Sequence, residues 1–168
     1  GKTYRYICFD GPVKPVFDRK YVTLLDFSPD VEKMRRAAEI LQGEHDFAGF
    51  CKSEGKGTVI DLVEASIREE GDVLVMTFMA DHFLWNMIRR IASSVIRVGT
   101  GRIDISRVEA GLDGGWSNFG LAPAEGLTLT DVRYEGLEFT PSPDPALRKR
   151  RGDGLYRAHL ADRFYRQL

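Results

Sequence analysis

Arg89 and Arg90 stand together in the run Phe83-Leu84-Trp85-Asn86-Met87-Ile88-Arg89-Arg90-Ile91, where an apolar stripe of helical spacing begins. With successive residues about 100° apart, Leu84, Met87, Ile88, Ile91, Val95 and Val98 share one face of a helix. Arg89 falls on the flank of that face, and Arg90 and Arg97 fall on the far side with Asn86. A flank arginine can keep its stem in the packing and aim its fork of donors into a cleft. The same pattern also fits a solvated cation on a surface helix, the ordinary arrangement opposite an apolar stripe.

A second charged feature lies at the end of the chain. From Arg148 to Leu168 there are seven Arg or Lys against two acids. Tyr156, Leu160, Phe164 and Leu168 recur every four residues there. This reads either as an electrostatic grip on phosphates or as a docked C-terminal helix with a solvated basic face. Arg148, Lys149, Arg150 and Arg151 are the first candidates for nucleic-acid contact.

Other constellations carry little chemistry. Glu44-His45-Asp46 has metal-ligating types, but sequence neighbours rarely converge on one ion, and neither His82 nor His159 completes a ligand spacing. No metal is expected. Gly55-Lys56-Gly57-Thr58 is too short for a phosphate loop. No Ser-His-Asp or Cys-His site has the needed specificity.

The elements that must position the arginines follow from local pattern. Tyr4 to Phe9 alternates and is aromatic-rich, which predicts a strand, and Tyr21 to Leu25 predicts a short second one. Ser28-Pro29-Asp30 predicts a helix start with Ser28 as cap, a stripe of Val31, Met34, Ala38 and Leu41, and a stop at Gly43. Glu44 to Lys52 reads as an aromatic loop. Gly57 to Arg68 and Val73 to Met79 predict a hairpin. The arginine helix is expected from about Phe83 to Val98. A short helix capped by Asp104 follows from Ile105 to about Leu112, then an irregular glycine-rich stretch from Gly111 to Gly120, and a last strand from Leu127 to Tyr134. This order implies an α+β fold, a mostly antiparallel sheet with helices packed on one face. Pro141-Ser142-Pro143-Asp144-Pro145 reads as a linker, dividing a domain over residues 1–140 from a basic tail over 141–168.

Composition agrees with a soluble globular domain: 168 residues, 43% hydrophobic, 29% charged, net charge −1. That balance excludes a global field for nucleic acid, so attraction must come from local patches. No apolar run approaches the roughly 20 residues that span a membrane, and no signal peptide is visible. Cys8 and Cys51 form no CxxC pair and read as reduced thiols of a cytoplasmic protein. The chain opens at Gly1-Lys2 without an initiating methionine, as expected for a piece of a longer protein.

Four segments, in order, resemble motifs of the TruA-type tRNA pseudouridine synthases. Lys2-Thr3-Tyr4-Arg5-Tyr6 is similar to the family's basic-x-Tyr-Arg-Tyr. Leu41-Gln42-Gly43-Glu44-His45-Asp46-Phe47-Ala48-Gly49-Phe50 is similar to Leu-x-Gly-x-His-Asp-Phe-x-x-Phe. Phe83 to Arg89 is similar to Phe-Leu-x-x-Met-Val-Arg, and Ala122 to Leu127 to Ala-Pro-Ala-x-Gly-Leu. The match covers about residues 2–134 and corresponds to the C-terminal half of the family's catalytic fold.

The resemblance implies cofactor-free isomerisation of uridine to pseudouridine in tRNA, on a nucleotide taken out of its stack. Tyr4 would stack on the uracil and could help remove the C5 proton. Its alternative is an aromatic packed on the sheet. Arg89 would pair with the family's catalytic aspartate, and Leu127 would wall the base, where it could otherwise be an ordinary strand residue. Arg90, Arg97, Arg148, Lys149, Arg150 and Arg151 would contact RNA. The intact enzyme is expected to be a homodimer. The family's Gly-Arg-Thr-Asp-Ala-Gly segment, which carries the aspartate, does not occur in this sequence, so this chain alone is expected to be inactive. Trp85-Asn86 stands where many relatives have two histidines, and no role is carried onto them. The alternatives are a non-catalytic RNA-binding or dimerisation module on the same fold, or a structural domain sharing only the fold.

Overall fold

A computed structural model describes residues 1–11, 20–52, 57–113 and 118–138. The linker and basic tail, including Arg148, Lys149, Arg150 and Arg151, lie outside the described residues. Six strands form one sheet: β1 (Lys2–Phe9), β2 (Thr23–Leu24), β3 (Gly43–Asp46), β4 (Val59–Glu70), β5 (Val73–Ala80) and β6 (Leu127–Val132). The order is β2-β1-β5-β4-β3, and β6 also pairs with β1. All pairings are antiparallel except β1 with β2. Among the described residues there are three helices: α1 (Val31–Leu41), α2 (Met87–Gly99) and α3 (Ser106–Leu112). The expected α+β class is what the chain adopts.

Two bulges set which side chains point inward. In β4 the register shifts between Leu62 and Glu64. Ile60 and Leu62 are buried before the shift, Ala65 and Ile67 after it, and Val63 is left exposed. An extra residue reverses the alternation, so the inward set moves from even to odd positions. A second shift falls between Thr3 and Tyr4 against β6, where Tyr4 pairs with Leu129 but Thr3 with Asp131.

The core is one cluster between sheet and helices. Met34, Ala37, Ala38 and Leu41 of α1 and Ile91, Val95 and Val98 of α2 meet Tyr6, Cys8, Leu62, Met76 and Phe78 of the sheet. Gly99 lets the helices close: a Cβ there would lie 2.4 Å from Met34 Cγ. Both cysteines are buried, and burial pushes the Cys8 thiol up to about 12.

Three expected boundaries are corrected. The cap of α1 is Asp30, not Ser28: its carboxylate accepts the Lys33 N–H at 3.1 Å. That bond holds the Asp30 carboxyl below the usual carboxylate range. The expected stop holds: the helix ends at Leu41, and Gly43, at φ +99°, turns the chain into β3. Residues 43–46 are not loop but a strand paired with β4, followed by a 3₁₀ turn over Phe47–Phe50. Neighbour pairing makes that strand, since Glu44-His45-Asp46 has no strand propensity of its own. Finally, α2 begins at Met87 rather than Phe83, because Asn86 is left-handed at φ 62°.

Ile91 is fully buried at the centre of α2. Replacing it with alanine is expected to destabilise the protein by about 2–5 kcal/mol. Urea unfolding measures this, and a change below about 1 kcal/mol would contradict the packing described.

Candidate active-site cleft

Tyr4, Arg89 and Leu127, far apart in sequence, line one cleft of about 300 Å³ together with Phe83, Leu84, Trp85, Asn86, Met87 and Ile88. β1 contributes Tyr4, the segment entering α2 contributes residues 83–89, and the start of β6 contributes Leu127. Tyr4 and Leu127 share a sheet face as diagonal neighbours, since Tyr6 pairs with Leu127 and Tyr4 with Leu129. Phe83 meets Tyr4 edge to face, with ring centroids 5.4 Å apart. This contact restrains the phenol ring from one side.

Arg89 is half-buried and lies on the stripe of α2 opposite the buried Ile91, Val95 and Val98, not on the flank expected of it. Its Nε donates to the Ala122 carbonyl at 2.7 Å, and the Ala122 N–H donates back to the Arg89 carbonyl at 3.2 Å. Its terminal nitrogens have no hydrogen bond or ion pair among the described residues. One edge of the guanidinium therefore fixes the side chain, and the other remains available for a bidentate oxyanion.

Two further groups on α2 extend this contact. Ser93, one turn on, donates to the Phe119 carbonyl at 2.6 Å. Arg97, another turn on, donates to the Asn118 carbonyl at 3.4 Å. Residues spaced by four lie on one helix stripe, so Arg89, Ser93 and Arg97 form a ladder along α2 that holds residues 118–122. Tyr6 secures the next residue: its hydroxyl donates to the Pro123 carbonyl at 2.8 Å and meets Thr23 Oγ1 at 2.6 Å. Burial pushes the Tyr6 phenol well above the usual range, so it remains a neutral donor. The Ile7 N–H donates to the Gly126 carbonyl at 2.9 Å. Leu127 follows directly and is placed by these bonds.

Arg90 and Arg97, expected on the far side of α2 as RNA contacts, are both half-buried. Arg97 is engaged with Asn118, and the Nε of Arg90 is buried with no hydrogen-bond partner among the described residues. In the Glu44-His45-Asp46 run, His45 Nε2 lies 2.8 Å from the Gln42 carbonyl and Asp46 accepts the Ala48 N–H. No group of three His, Cys, Asp or Glu among the described residues is arranged to hold a metal. No helix among the described residues is long and apolar enough to cross a membrane.

Tyr6, Phe83 and Ser93 were not singled out from sequence. Ser93 had a readable signal, its spacing of four from Arg89. The carbonyls of Asn118, Phe119, Ala122 and Pro123 had none, because every residue carries one.

A family model described as tRNA pseudouridine synthase matches residues 37–135. The chain belongs to the tRNA pseudouridine synthase family. Its relatives include proteins named tRNA pseudouridine synthase A. That of Pyrococcus abyssi is 32% identical over 142 residues, covering 83% of this chain and 51% of the relative. That of Pyrococcus horikoshii is 37% identical over 133 residues, covering 77% and 50%. That of Brevibacillus brevis is 35% identical over 138 residues, covering 79% and 56%. The chain thus spans about half the length of these curated relatives. The family match runs from within α1 to just beyond β6 and includes Arg89 and Leu127.

Two substitutions test how the Ala122–Leu127 turn is held. Tyr6→Phe should cost about 1–2 kcal/mol by leaving buried acceptors short of a donor. Gly126→Ala should cost more, because its Cβ would sit 2.7 Å from both the Ile7 carbonyl oxygen and Thr23 Oγ1. Thermal unfolding reports both, and wild-type stability for Gly126→Ala would show that the turn is not pinned there.

Proposed function

We propose that this chain supplies one wall of the uridine-binding cleft of a tRNA pseudouridine synthase. The convergence of Tyr4, Arg89 and Leu127 on one cleft, with one edge of Arg89 unoccupied among the described residues, is the observation that supports this reading. In the proposed reaction the C1′–N1 bond of an extruded uridine breaks, the base turns, and C1′ rejoins it at C5; the C5 proton is then lost and N1 takes one up, so the product is an isomer. Tyr4 stacks on the uracil and Leu127 closes its apolar side. The free edge of Arg89 orients the catalytic aspartate and keeps it ionised.

The carboxylate must come from outside this sequence, which contains no Gly-Arg-Thr-Asp-Ala-Gly segment. Its partial likeness, Gly101-Arg102-Ile103-Asp104, lies past the far end of α2 from Arg89. There the Asp104 carboxylate accepts the Ser106 N–H at 2.9 Å and starts α3. The chain by itself is therefore proposed to be inactive. The intact enzyme is proposed to act on tRNA as a cytoplasmic homodimer.

Release of tritium from C5-labelled uridine in tRNA measures turnover. In the full-length protein, Arg89→Ala should lower it about a hundredfold to several thousandfold, the loss expected when one partner of a buried pair is removed. Most tRNA affinity should remain. Arg89→Lys should not restore activity, since an ammonium lacks the fork. Normal turnover in Arg89→Ala would remove Arg89 from the site. RNA binding without turnover in the intact protein would favour a non-catalytic module. For the tail, deleting Arg148 to Arg151 should flatten the slope of log affinity against log salt by about three. An unchanged slope would rule out a phosphate grip by these residues.

A further inference from the structure

We propose that Trp85 is a stacking platform for a nucleobase adjacent to the target uridine, an inference that rests on the uridine-cleft reading above. Several large apolar side chains are exposed, including Tyr21, Phe27, Tyr134 and Trp85. Of these four only Trp85 lines the cleft that holds Tyr4 and Arg89. It is 57% exposed, which is unusual for an indole, a residue highly buried on average.

Local structure explains why the ring points outward. The Met87 N–H donates to the Leu84 carbonyl at 3.0 Å, closing a four-residue turn. Asn86, third in that turn, has φ 62° and ψ 4°, the geometry that a type II turn requires at this position. Trp85 occupies the second position, at the corner. The Lys52 N–H donates to the Trp85 carbonyl at 3.3 Å, so the corner is tied to the segment after the 3₁₀ turn. The indole is held on a braced corner, which lowers the ordering cost of binding a ligand.

Charge identifies the ligand. The Lys52 ammonium lies 4.9 Å from the Trp85 ring centroid, within cation–π range. It occupies part of the ring and leaves the remainder to solvent. An aromatic face beside a cation is the pairing that binds single-stranded nucleic acid, the base stacking on the ring and the cation meeting its phosphate. A nucleotide extruded into the Tyr4 cleft leaves its neighbour without a stacking partner on that side. Trp85, on the same cleft, replaces that partner.

Steady-state turnover of the full-length protein on tRNA tests this, with Trp85→Ala and Trp85→Phe compared with wild type. Trp85→Ala should raise KM for tRNA about fivefold to a hundredfold, the range for losing one stacked base, with a much smaller change in kcat. Trp85→Phe should recover most of the loss. The share of tryptophan emission lost in Trp85→Phe should be quenched by tRNA in the wild type, with a midpoint near the binding constant. An unchanged KM and an unquenched Trp85 would overturn the proposal. So would a Trp85→Ala variant with reduced thermal stability and kcat and a tRNA-insensitive emission in the wild type, the signature of a ring packed against protein. If the wild type does not convert uridine but Trp85 emission still responds to tRNA, the uridine-cleft reading fails while the stacking contact stands.

Discussion

The cleft depends on how a helix can grip an irregular segment that has no ladder of its own. Residues 118–126 offer carbonyl oxygens, and a buried carbonyl without a donor costs on the order of 1–3 kcal/mol. α2 supplies donors from Arg89, Ser93 and Arg97, one per turn, while its opposite stripe of Ile91, Val95 and Val98 is packed in the core. The apolar stripe fixes the rotation of the helix, and that rotation aims the polar stripe at the segment. Tyr6 and Ile7 close the other side from β1. Leu127 reaches the cleft only because both sides hold.

This arrangement gives Arg89 two tasks that its chemistry can separate. A guanidinium has five N–H groups in a rigid plane. Here Nε is committed to the main chain, which sets the plane of the whole group. A carboxylate or phosphate that meets the terminal nitrogens finds donors already oriented, with little side-chain entropy left to lose. A lysine in this place could serve one partner or the other but would not transmit the orientation.

Much of this was legible in sequence where periodicity was strong. The inward stripes of α1 and α2, the β4–β5 hairpin and β1 all follow spacing that survives folding. Reading failed where pairing or a special backbone angle decides. Glu44-His45-Asp46 becomes a strand because β4 offers it an edge, and Asn86 stops α2 from starting at Phe83 by taking a left-handed conformation. At the cleft, the motif resemblance identified Tyr4, Arg89 and Leu127, but the expected flank position of Arg89 did not hold: it shares one stripe with Ser93 and Arg97, opposite the apolar one. The partners that hold them are main-chain oxygens, invisible to any reading by residue type. The exposure of Trp85 was also hidden, because it follows from a turn that the apolar pattern disguised as helix.

The bulge between β1 and β6 has an electrostatic consequence. Residues directly opposite in an antiparallel pair point to the same side. Leu129 therefore shares the side of Tyr4, whereas Asp131, beyond the extra residue, shares that of Thr3. An unbroken ladder would carry Asp131 around to the side of Tyr4. On its actual side the Asp131 carboxylate bonds Arg133 at 2.7 Å. A single inserted residue thus acts as an insulator. It steers a strand carboxylate away from the side of the sheet that carries Tyr4 and Leu127.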